Sequence, residues 1–516
     1  MTAVLLAQTD AFTGPSIDYW ALVPQFILLG SALALLLVRA LLPVALPDWV
    51  PTATSVVAGI ATGVVAWFLW LDVRDDGPRS VIGDAFGVDG FSLFFTLLVA
   101  AAVVLTALLA DGYLTRNQMM APEFHALLLA SATGAVVMSS ANDLIVVFLS
   151  LEALSIGLYV LVAMQLMRIR SLEAAIKYFV LGAFSSAFFL YGIALVYGAT
   201  GTTNLVAIRE YLTAAPILPD SEILLIGFAL LLVGLGFKVA AAPFHVWAPD
   251  VYQGAPSPVS GYMASVAKAA GFAAMLRIFV VAFDSYAVDW TPLIGALAVL
   301  TLLAGTVTAV VQTDVKRMLA YSSIAHAGYV LVAVQTASAD GTSAALFYLF
   351  TYTVMVIGSF GVVTVVAGSD IEGTHPLDRY RGLSRTRPLL AFAFTVFLLA
   401  QAGVPFTSGF VGKFVVIGAA VEDASYVLAA IAMVAAVIGA FVYLRIVLSM
   451  YATDEDEAEI ETGTEATPLP PAPPRARWPS QLALAAALAF TVVIGVLPQF
   501  FIEFSRDAIP VLVAGG

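Results

Sequence analysis

The amino-acid sequence predicts an all-α, polytopic membrane protein with about 14 transmembrane helices. Of its 516 residues, 61% are hydrophobic and only 11% are charged, whereas a soluble domain carries about 25% charged residues. The apolar residues also fall into runs of roughly 20, the length that a helix needs to cross a bilayer. A soluble chain with so little charge could not cover its own surface. The composition therefore excludes a cytosolic enzyme, and it equally excludes a disordered chain.

The apolar runs predict the spans one by one along the chain. The first is predicted over residues 21–42, and we expect it to remain in the mature protein because Asp10 and Asp18 precede it in place of the basic start of a signal peptide. The predicted spans are centred near residues 31, 61, 101, 131, 154, 188, 231, 270, 302, 328, 355, 400, 437 and 491.

The basic residues predict the orientation of these spans. Cytoplasmic loops of membrane proteins carry an excess of lysine and arginine. With the N-terminus outside, the outer loops hold Arg74, Arg79, Arg209 and Arg277, and the tail holds Arg506. The inner loops hold Arg39, Arg116, Arg168, Arg170, Lys316, Arg317, Arg379, Arg381, Arg385, Arg387, Arg445, Arg475 and Arg477. We therefore expect both termini outside.

The spans group into five predicted regions. Residues 1–120 hold three N-terminal helices, 121–285 a first unit of helices 4–8, and 286–450 a second unit of helices 9–13. Residues 451–480 are acidic and then Pro-rich, which is typical of a flexible inner loop, and 481–516 hold helix 14. A basic connector over residues 369–388 is also expected on the inner side.

The two units share sequence at an offset of 170 residues. YVLVA occurs at 159–163 and at 329–333, and AAIKY at 174–178 corresponds to AALFY at 344–348. Because each unit has an odd number of helices, the second is expected to be inverted, as in transporters. Helix breakers follow the same order: Pro243 comes soon after Lys238, and Gly403, Pro405, Gly409 and Gly412 surround Lys413. We predict broken helices 7 and 12, the alternative being plain packing kinks.

Several kinds of chemistry find no support in the sequence. There is no cysteine, and the four histidines form no cluster with carboxylates, so no metal site is expected. No basic patch with aromatic residues suggests nucleic-acid binding, and no phosphate-binding or dinucleotide motif suggests ATP, NAD or flavin. The net charge of −13 comes in part from acidic stretches at 72–89 and 454–465, which are interpreted as solvated loops.

The positions of the lysines carry the functional prediction. Lys238, Lys268 and Lys413 lie within apolar runs, and Lys177 begins span 6. Lys316 is interpreted as a loop residue, and the arginines lie almost wholly in loops or at helix ends. Arginine stays charged at any usable pH, whereas lysine can lose its proton. This distribution favours a proton-handling task. The alternatives are a snorkelling Lys177 and static ion pairs for the other three.

A few other titratable residues accompany the lysines. Glu152 lies deep in span 5 and should have a cationic partner, with Lys238 the first candidate and Lys177 the second. His245 and His326 are possible proton relays or hydrogen-bonded core histidines, since histidine titrates near neutrality. His125 and His375 are expected at a span edge and in a loop, with no role.

The longest motifs resemble a known family. The chain reads FKVAAAPFHVWAPDVYQGAPSPVS at 237–260, KRMLAYSSIAHAGY at 316–329, KYFVLGAFSS at 177–186 and GVPFTSGFVGK at 403–413. These stretches resemble the antiporter-like subunits of respiratory complex I, the proton-translocating NADH-quinone oxidoreductase, and its subunit N branch most closely. Mrp-type cation/proton antiporters share the core PFHxWxPD, but VYQGAP at 251–256 is characteristic of the subunit N branch. The acidic, Pro-rich loop departs from the family pattern.

The resemblance implies a role for each matching residue. Glu152 pairs with Lys238, Lys268 is the central relay, Lys413 is the last protonatable group toward the outside, and Lys177 modulates the others. Quinone, FMN and iron–sulfur clusters are expected only in partner subunits, with no cofactor or metal in this chain. The expected partners are the other antiporter-like and small membrane subunits of the complex, in the lipid bilayer of an energy-transducing bacterial cell membrane. The alternatives are an Mrp-type antiporter subunit and a static membrane scaffold.

Overall fold

Membrane-length helices dominate the structure, a computed structural model that describes residues 17–41, 46–214, 221–368, 373–452 and 473–512. Within this described part, 13 helices are long and apolar enough to cross a bilayer. The span near residue 400, for which a broken helix was predicted, consists of two shorter helices, Pro388–Ala402 and Ser408–Glu422. The all-α membrane fold is therefore confirmed. Most of the acidic, Pro-rich loop lies outside the described residues.

The N-terminal region packs three helices and one small hairpin. They are α1 (Val23–Leu41), α2 (Trp49–Asp76) and α3 (Gly90–Arg116), and α2 packs against both α1 and α3. Strands β1 (Arg79–Val81) and β2 (Phe86–Val88) pair antiparallel between α2 and α3. The interpretation of residues 72–89 as a solvated loop is wrong at the end of that stretch. Asp89 is buried and caps α3 by accepting a hydrogen bond from the Ser92 backbone N–H, as is usual for aspartate at a helix start.

The next helices run from α4 to the first interruption. They are α4 (Ala121–Ser140), α5 (Leu144–Ala163), α6 (Ile169–Thr200), α7 (Leu205–Ala214) and α8 (Ser221–Val239). The sequence did not predict the short α7. Helix α8 ends directly after Lys238, and Ala240 has a positive φ of 58°. The chain then has no α-helix until α9 (Ala248–Gly254).

The following span is irregular throughout its length. It comprises α10 (Ser257–Tyr262), a π-helical segment Met263–Ala267, α11 (Lys268–Met275) and a second π-helical segment Leu276–Ala282. Segments of π-helix are rare and occur frequently at functional sites. Lys268 is the first residue after the first of them.

The remaining helices complete the bundle. They are α12 (Ala287–Val310), α13 (Val315–Gln335), α14 (Ala339–Ala367), α15 (Leu383–Thr386), α16 (Pro388–Ala402), α17 (Ser408–Glu422), α18 (Tyr426–Tyr451), α19 (Trp478–Val496) and α20 (Gln499–Asp507). Helices α16 and α17 are separated by a short break in which Gly403 and Phe406 have positive φ.

The centre of the bundle is formed by α13, α14 and the irregular span 257–282, which are the most fully buried spans. Helices α1, α2, α6, α18 and α19 lie at the periphery and expose large apolar side chains such as Phe184 and Val437. Of the lysine-bearing helices, α11 belongs to this centre, and α8 and α17 contact it. The predicted domain boundaries and the inverted repeat remain predictions.

Arg277 corrects the prediction that the arginines lie in loops. It belongs to the second π-helical segment and is fully buried. Its Nη2 donates to Asp89 Oδ1 at 2.7 Å, its Nε donates to the Ser139 carbonyl oxygen at 3.0 Å, and its guanidinium lies over the Phe91 ring. A buried arginine needs such a counter-ion, so this pair fastens the irregular span to the start of α3.

Candidate functional site

Three of the predicted lysines are buried inside the helix bundle. The side chains of Lys238, Lys268 and Lys413 belong to residues that are 4%, 2% and 7% exposed. Within the described part of the chain, each ammonium donates to hydroxyl or carbonyl oxygens, and none lies within salt-bridge distance of a carboxylate. The alternative of static ion pairs therefore has no support at these positions.

Lys238 occupies the last turn of α8, just before the interruption. Its Nζ donates to Ser155 Oγ of α5 at 2.8 Å. The carbonyl end of a helix favours a positive charge, so the position suits an ammonium. Its stem packs closely on Gly271 of α11, where an added Cβ would lie 3.2 Å from Lys238 Cγ and 2.8 Å from Val239 Cγ1. This contact joins α8 to the helix that carries Lys268.

Glu152 lies in the middle of α5, as predicted, but its direct ion pair with Lys238 is not formed. Its Oε1 accepts a hydrogen bond from Ser186 of α6. Lys238 contacts Ser155, which is three residues further along α5. The two charged groups are close enough to interact electrostatically. The carboxylate and the ammonium are therefore neighbours that each bind a serine hydroxyl.

Lys177 is placed in a separate, half-exposed cluster. Its Nζ lies 2.7 Å from Glu173 and 2.8 Å from Asp250 of α9, and Asp250 also accepts from Arg317 of α13 at 2.7 Å. This cluster borders a polar cavity of about 120 Å³. Burial by itself would raise the pKa of the Asp250 carboxyl, but the hydrogen bonds and charges of Lys177 and Arg317 hold its pKa below the ordinary value. The second candidate partner for Glu152 is thus engaged elsewhere.

Lys268 contacts the central helix α13. Its Nζ donates to the hydroxyl of Ser323 at 2.6 Å and also to the carbonyl oxygen of the same residue. The ammonium lies 5.9 Å from the centre of the Tyr352 ring. A hydroxyl that accepts a hydrogen bond from Lys268 can at the same time donate one to another acceptor. Ser323 can therefore link Lys268 to a further polar group.

Lys413 spans the interruption between α16 and α17. Although it belongs to α17, its Nζ donates to the carbonyl oxygens of Gln401 and Ala402, both at 2.8 Å. These carbonyls are at the end of α16, where helical partners are missing. The ammonium also lies 5.0 Å from the centre of the Tyr329 ring. Lys413 thereby supplies hydrogen-bond donors to the carbonyl oxygens at the end of α16. Its positive charge is favoured there by the negative end of the dipole of that helix.

A hydrogen-bonded group of side chains fills the space between Lys268 and Lys413. His326 Nδ1 contacts Tyr348 Oη at 2.6 Å, and its Nε2 contacts Tyr443 Oη at 3.0 Å. Tyr443 in turn shares a hydrogen bond with Ser322, which reaches Gln401 Oε1 at 3.3 Å. His326 is within electrostatic range of both lysines. The structure therefore places His326 in a polar group that lies near both lysines and reaches Gln401, whose main-chain oxygen accepts from Lys413.

His245 lies apart from that network. It is in the interruption between α8 and α9 and is partly exposed. Its Nδ1 is buried without a hydrogen-bond partner in the described part of the chain. No contact between His245 and Lys238 is seen there, so the prediction of a relay at this position stays a prediction.

Lys316 was predicted in the wrong place, whereas His125 and His375 lie as predicted, near a span edge and in a loop, but both are buried. Lys316, interpreted as a loop residue, is fully buried in the first turn of α13 and donates to the Ala255 carbonyl oxygen at 2.6 Å. His125 is buried between Ser55 and Thr52 of α2. His375 is buried with its backbone N–H donating to Asp314. The aspartate immediately before Val315 was a usable signal for a helix start, and it would have moved Lys316 into α13.

Two tyrosine pairs occupy equivalent places in the predicted repeat. Tyr159 and Tyr178 have ring centres 4.8 Å apart, and Tyr329 and Tyr348 have ring centres 5.8 Å apart. Members of the second pair follow those of the first by the same 170 residues that separate the repeated motifs. The shared contact supports the predicted repeat.

Comparison with known proteins identifies the family. Residues 141–439 match the family described as "NADH:quinone oxidoreductase/Mrp antiporter, TM". The NADH-quinone oxidoreductase subunit N of Salinispora arenicola is 41% identical over 523 residues, covering 96% of this chain and 98% of the relative. The chain belongs to the subunit N family of NADH-quinone oxidoreductases. The resemblance inferred from the motifs is thereby confirmed.

Solved structures agree with this membership. A chain of respiratory complex I from Thermus thermophilus is 34% identical, with a TM-score of 0.75 over 96% of this chain and 100% of that one. A chain of the Mrp complex from Dietzia sp. superposes with a TM-score of 0.80 over 94% and 97%, but at 22% identity it shows the fold alone. Subunit N therefore describes this chain better than the Mrp alternative does.

The described residues contain no group of three or more histidine, cysteine, aspartate or glutamate side chains that could hold a metal ion. The chemistry that the site offers is that of ammonium, imidazole, phenol and hydroxyl groups, all of which accept or donate protons. That the cofactors reside in partner subunits remains an expectation from the family.

Proposed function

We propose that this subunit N chain moves protons across the membrane through Lys238, Lys268 and Lys413, driven by quinone reduction in partner subunits of the complex. The proposal rests on three buried ammonium groups, none of which contacts a carboxylate of any residue that the structure describes. Holding a charge within a membrane-spanning helix costs at least about 2.5–3.5 kcal/mol. Groups of this kind are suited to gain and lose protons, which fixed ion pairs are not.

The contacts support one order of the groups along the proposed route. Glu152 and Lys238 form the first part of the route, with Ser155 and Ser186 as their hydrogen-bond partners. The packing of Lys238 on Gly271 brings it next to the helix of Lys268. After Lys268 we place the group of Ser322, Tyr443 and His326, whose hydrogen bonds reach Gln401. Lys413 follows as the last protonatable group toward the outside.

The proposed route must also contain a barrier that prevents protons from flowing back. Moving one charge against a membrane potential costs about 2.3 kcal/mol per 100 mV, so an open chain of proton sites would leak. Lys238 packs on Gly271, one turn beyond Lys268 on α11, and no hydrogen bond joins the two lysines within the described residues. We infer that proton transfer between them requires water or side-chain movement, which supplies a point of control.

Membrane placement completes the proposal. The chain is an integral membrane protein, and we propose that both termini face outside in a bacterial cell membrane because the inner loops carry most of the arginines. FMN, iron–sulfur clusters and the quinone site are assigned to partner subunits, so the chain contributes to the oxidoreductase as its translocating part.

The decisive experiment replaces Lys238 by Met in the assembled complex, reconstituted in sealed vesicles. Quinone reduction and proton uptake are measured together. We expect both to fall at least tenfold while the complex still assembles, since the methionine keeps the volume of the side chain but carries no proton. Lys238→Arg, which keeps a charge that is not released, should fail in the same way.

Leu235→Met provides a matched control, because Leu235 is a fully buried residue one turn earlier on α8. It should retain both activities. Wild-type rates in Lys238→Met would show that Lys238 is structural, and the static scaffold would then be the better description. Uptake of sodium in place of protons by the wild-type complex would instead favour an antiporter chemistry.

A further inference from the structure

A large cavity opens at the side of the bundle, away from the lysine network. It measures about 640 Å³ and lies where α14, α16 and α19 meet. Its walls are formed mainly by Val365, Leu390, Phe392, Leu484 and Leu488, which are apolar. Ligand sites commonly have this size and combine apolar walls with a few polar groups. None of the proposed proton-carrying residues lines the cavity.

The polar groups of the cavity are concentrated at one end and are basic. Arg387 and Arg475 line it, together with Gln481, and none of its described lining residues is acidic. Both arginines precede helices that start here, α16 at Pro388 and α19 at Trp478. Helix starts carry a partial positive charge, so the two dipoles add to the charge of the guanidinium groups.

The two arginines have different contacts. Arg387 Nη2 donates to the Pro473 carbonyl oxygen at 2.8 Å and so joins the two walls, while its Nε is buried without a hydrogen-bond partner in the described chain. Arg475 is exposed and forms no hydrogen bond or ion pair with any described residue. Arginine binds phosphate through several N–H groups at once. One bound phosphate would give both side chains an acceptor.

We propose that this cavity binds an anionic phospholipid of the inner leaflet, with its phosphate at Arg387 and Arg475 and an acyl chain along the apolar walls. The charge and the polarity gradient both fit: a basic rim continues into an apolar groove flanked by the exposed side chains of Leu389 and Phe392. Arg387 belongs to the basic connector that the positive-inside rule places in the cytoplasm. Basic pockets between transmembrane helices on that side bind anionic headgroups.

The bound lipid would join the start of α16 to α19. Helix α16 ends at Gln401 and Ala402, whose carbonyls bind Lys413. An occupied cavity therefore stabilises the packing of the helix that presents these carbonyls, without any contact between lipid and lysine. Lipid binding in this cavity does not depend on the proposed proton route. A direct measurement of lipid binding therefore tests it.

The test uses the assembled complex in nanodiscs of phosphatidylcholine that contain a small fraction of photoactivatable phosphatidylglycerol, with the reactive group on its acyl chain. After illumination, labelled peptides are identified by mass spectrometry. We expect labelling of α16 and α19, and we expect Arg475→Gln to lower it about fivefold, the effect of one arginine at an anionic surface. Arg385→Gln serves as the matched control, because Arg385 is an exposed arginine of the same connector that does not line the cavity.

A second pair of variants tests the apolar part without touching a charge. Ala485 lines the cavity and its neighbour Ala486 does not, although both are exposed on α19. Ala485→Phe should fill the groove and abolish the labelling, and Ala486→Phe should leave it intact. Three results overturn the proposal. They are equal labelling by phosphatidylcholine carrying the same reactive group, unchanged labelling in Arg475→Gln and Ala485→Phe, and labelling of a neighbouring subunit with none on α16 and α19.

Discussion

Lys413 and Gln401 are joined across a gap in the helical structure: the ammonium of the first, on α17, binds the main-chain carbonyl oxygen of the second, at the end of α16, at 2.8 Å. The side chain of Gln401 faces the other way and accepts from Ser322. Gln401 thus binds Lys413 through its backbone and the hydrogen-bonded group around His326 through its side-chain amide. The position of Lys413 therefore depends on the geometry of the break as well as on the helix that carries it.

Gly403 sets that geometry. Its φ of 89° is one that other residues rarely adopt, and an added Cβ would lie 2.9 Å from Lys413 Cδ. Gly403→Ala should destabilise the protein by about 1–2 kcal/mol from the backbone alone and displace the lysine, so coupled proton uptake should fall severalfold. Thermal unfolding of the purified complex and proton uptake in vesicles measure the two effects.

Gly418→Ala is the control for that substitution. Gly418 lies on α17 beyond Lys413, and nothing comes within 4 Å of a Cβ built there. It should be neutral or slightly stabilising, because alanine is the better helix former. Similar losses in both variants would mean that α17 tolerates no added methyl group, and the break would have no special role.

Much of the fold could be predicted from the sequence, because bilayer thickness imposes one length on every span and excludes charge from it. The same exclusion made Lys238, Lys268 and Lys413 visible as exceptions. The same reasoning did not identify Arg277 and Lys316 as buried residues, because both lie near span ends. There, hydropathy does not distinguish a loop residue from one whose charge is satisfied by a neighbouring element, such as Asp89 or the Ala255 carbonyl.

The hydrogen-bond partners of the lysines could not be predicted. Ser155, Ser323 and Gln401 are single polar residues in apolar helices, and the sequence contains many of that kind. Which of them faces a lysine depends on the rotation and crossing of helices far apart in sequence. For the same reason, Glu152 was assigned directly to Lys238, although a serine hydroxyl occupies the contact on each side.

Ser155 provides the next prediction. Its hydroxyl receives the hydrogen bond from Lys238, and removing it leaves a buried ammonium without that partner, a loss of about 1–3 kcal/mol. Ser155→Ala should therefore reduce proton uptake severalfold in vesicles at saturating quinone. Ser150→Ala is closely matched, since both serines are 2% exposed on α5 and both bond to a carbonyl of their own helix. Equal activity of the two variants would remove Ser155 from the route.

Replacing Lys316 should lower the free energy of unfolding more than replacing its neighbour Arg317 does. It is fully buried and donates to the Ala255 carbonyl oxygen at 2.6 Å, which links α13 to the end of α9. Lys316→Met leaves that buried carbonyl without this donor and should cost about 1–3 kcal/mol of unfolding free energy. Arg317→Gln removes a half-exposed ion pair with Asp250 and should cost less than about 1 kcal/mol. Thermal unfolding in detergent compares them, and a larger loss for Arg317→Gln would contradict the assignment.

The attachment of α9 should weaken in acid. Asp250 holds α9 to α6 through Lys177 and to α13 through Arg317, and these partners keep the pKa of its carboxyl below the ordinary value. A carboxyl with a lowered pKa stabilises the folded state above its ordinary pKa of about 3.9, and this contribution disappears as the pH falls through the lowered value. The protection factor of α9 in hydrogen exchange, which corrects for the intrinsic exchange rate at each pH, should therefore fall at the acidic end of a series from about pH 6 to about pH 2.

Two variants test whether Asp250 itself causes this pH dependence. Asp250→Asn has no titratable group at this position, so the protection factor of α9 should be lower at neutral pH and change little on acidification. Glu173→Gln should keep the pH dependence, because Glu173 contacts Lys177 and leaves the bridges of Asp250 in place. If Glu173→Gln lost the pH dependence and Asp250→Asn kept it, the proton would bind at Glu173, and α9 would be held by some contact other than its aspartate.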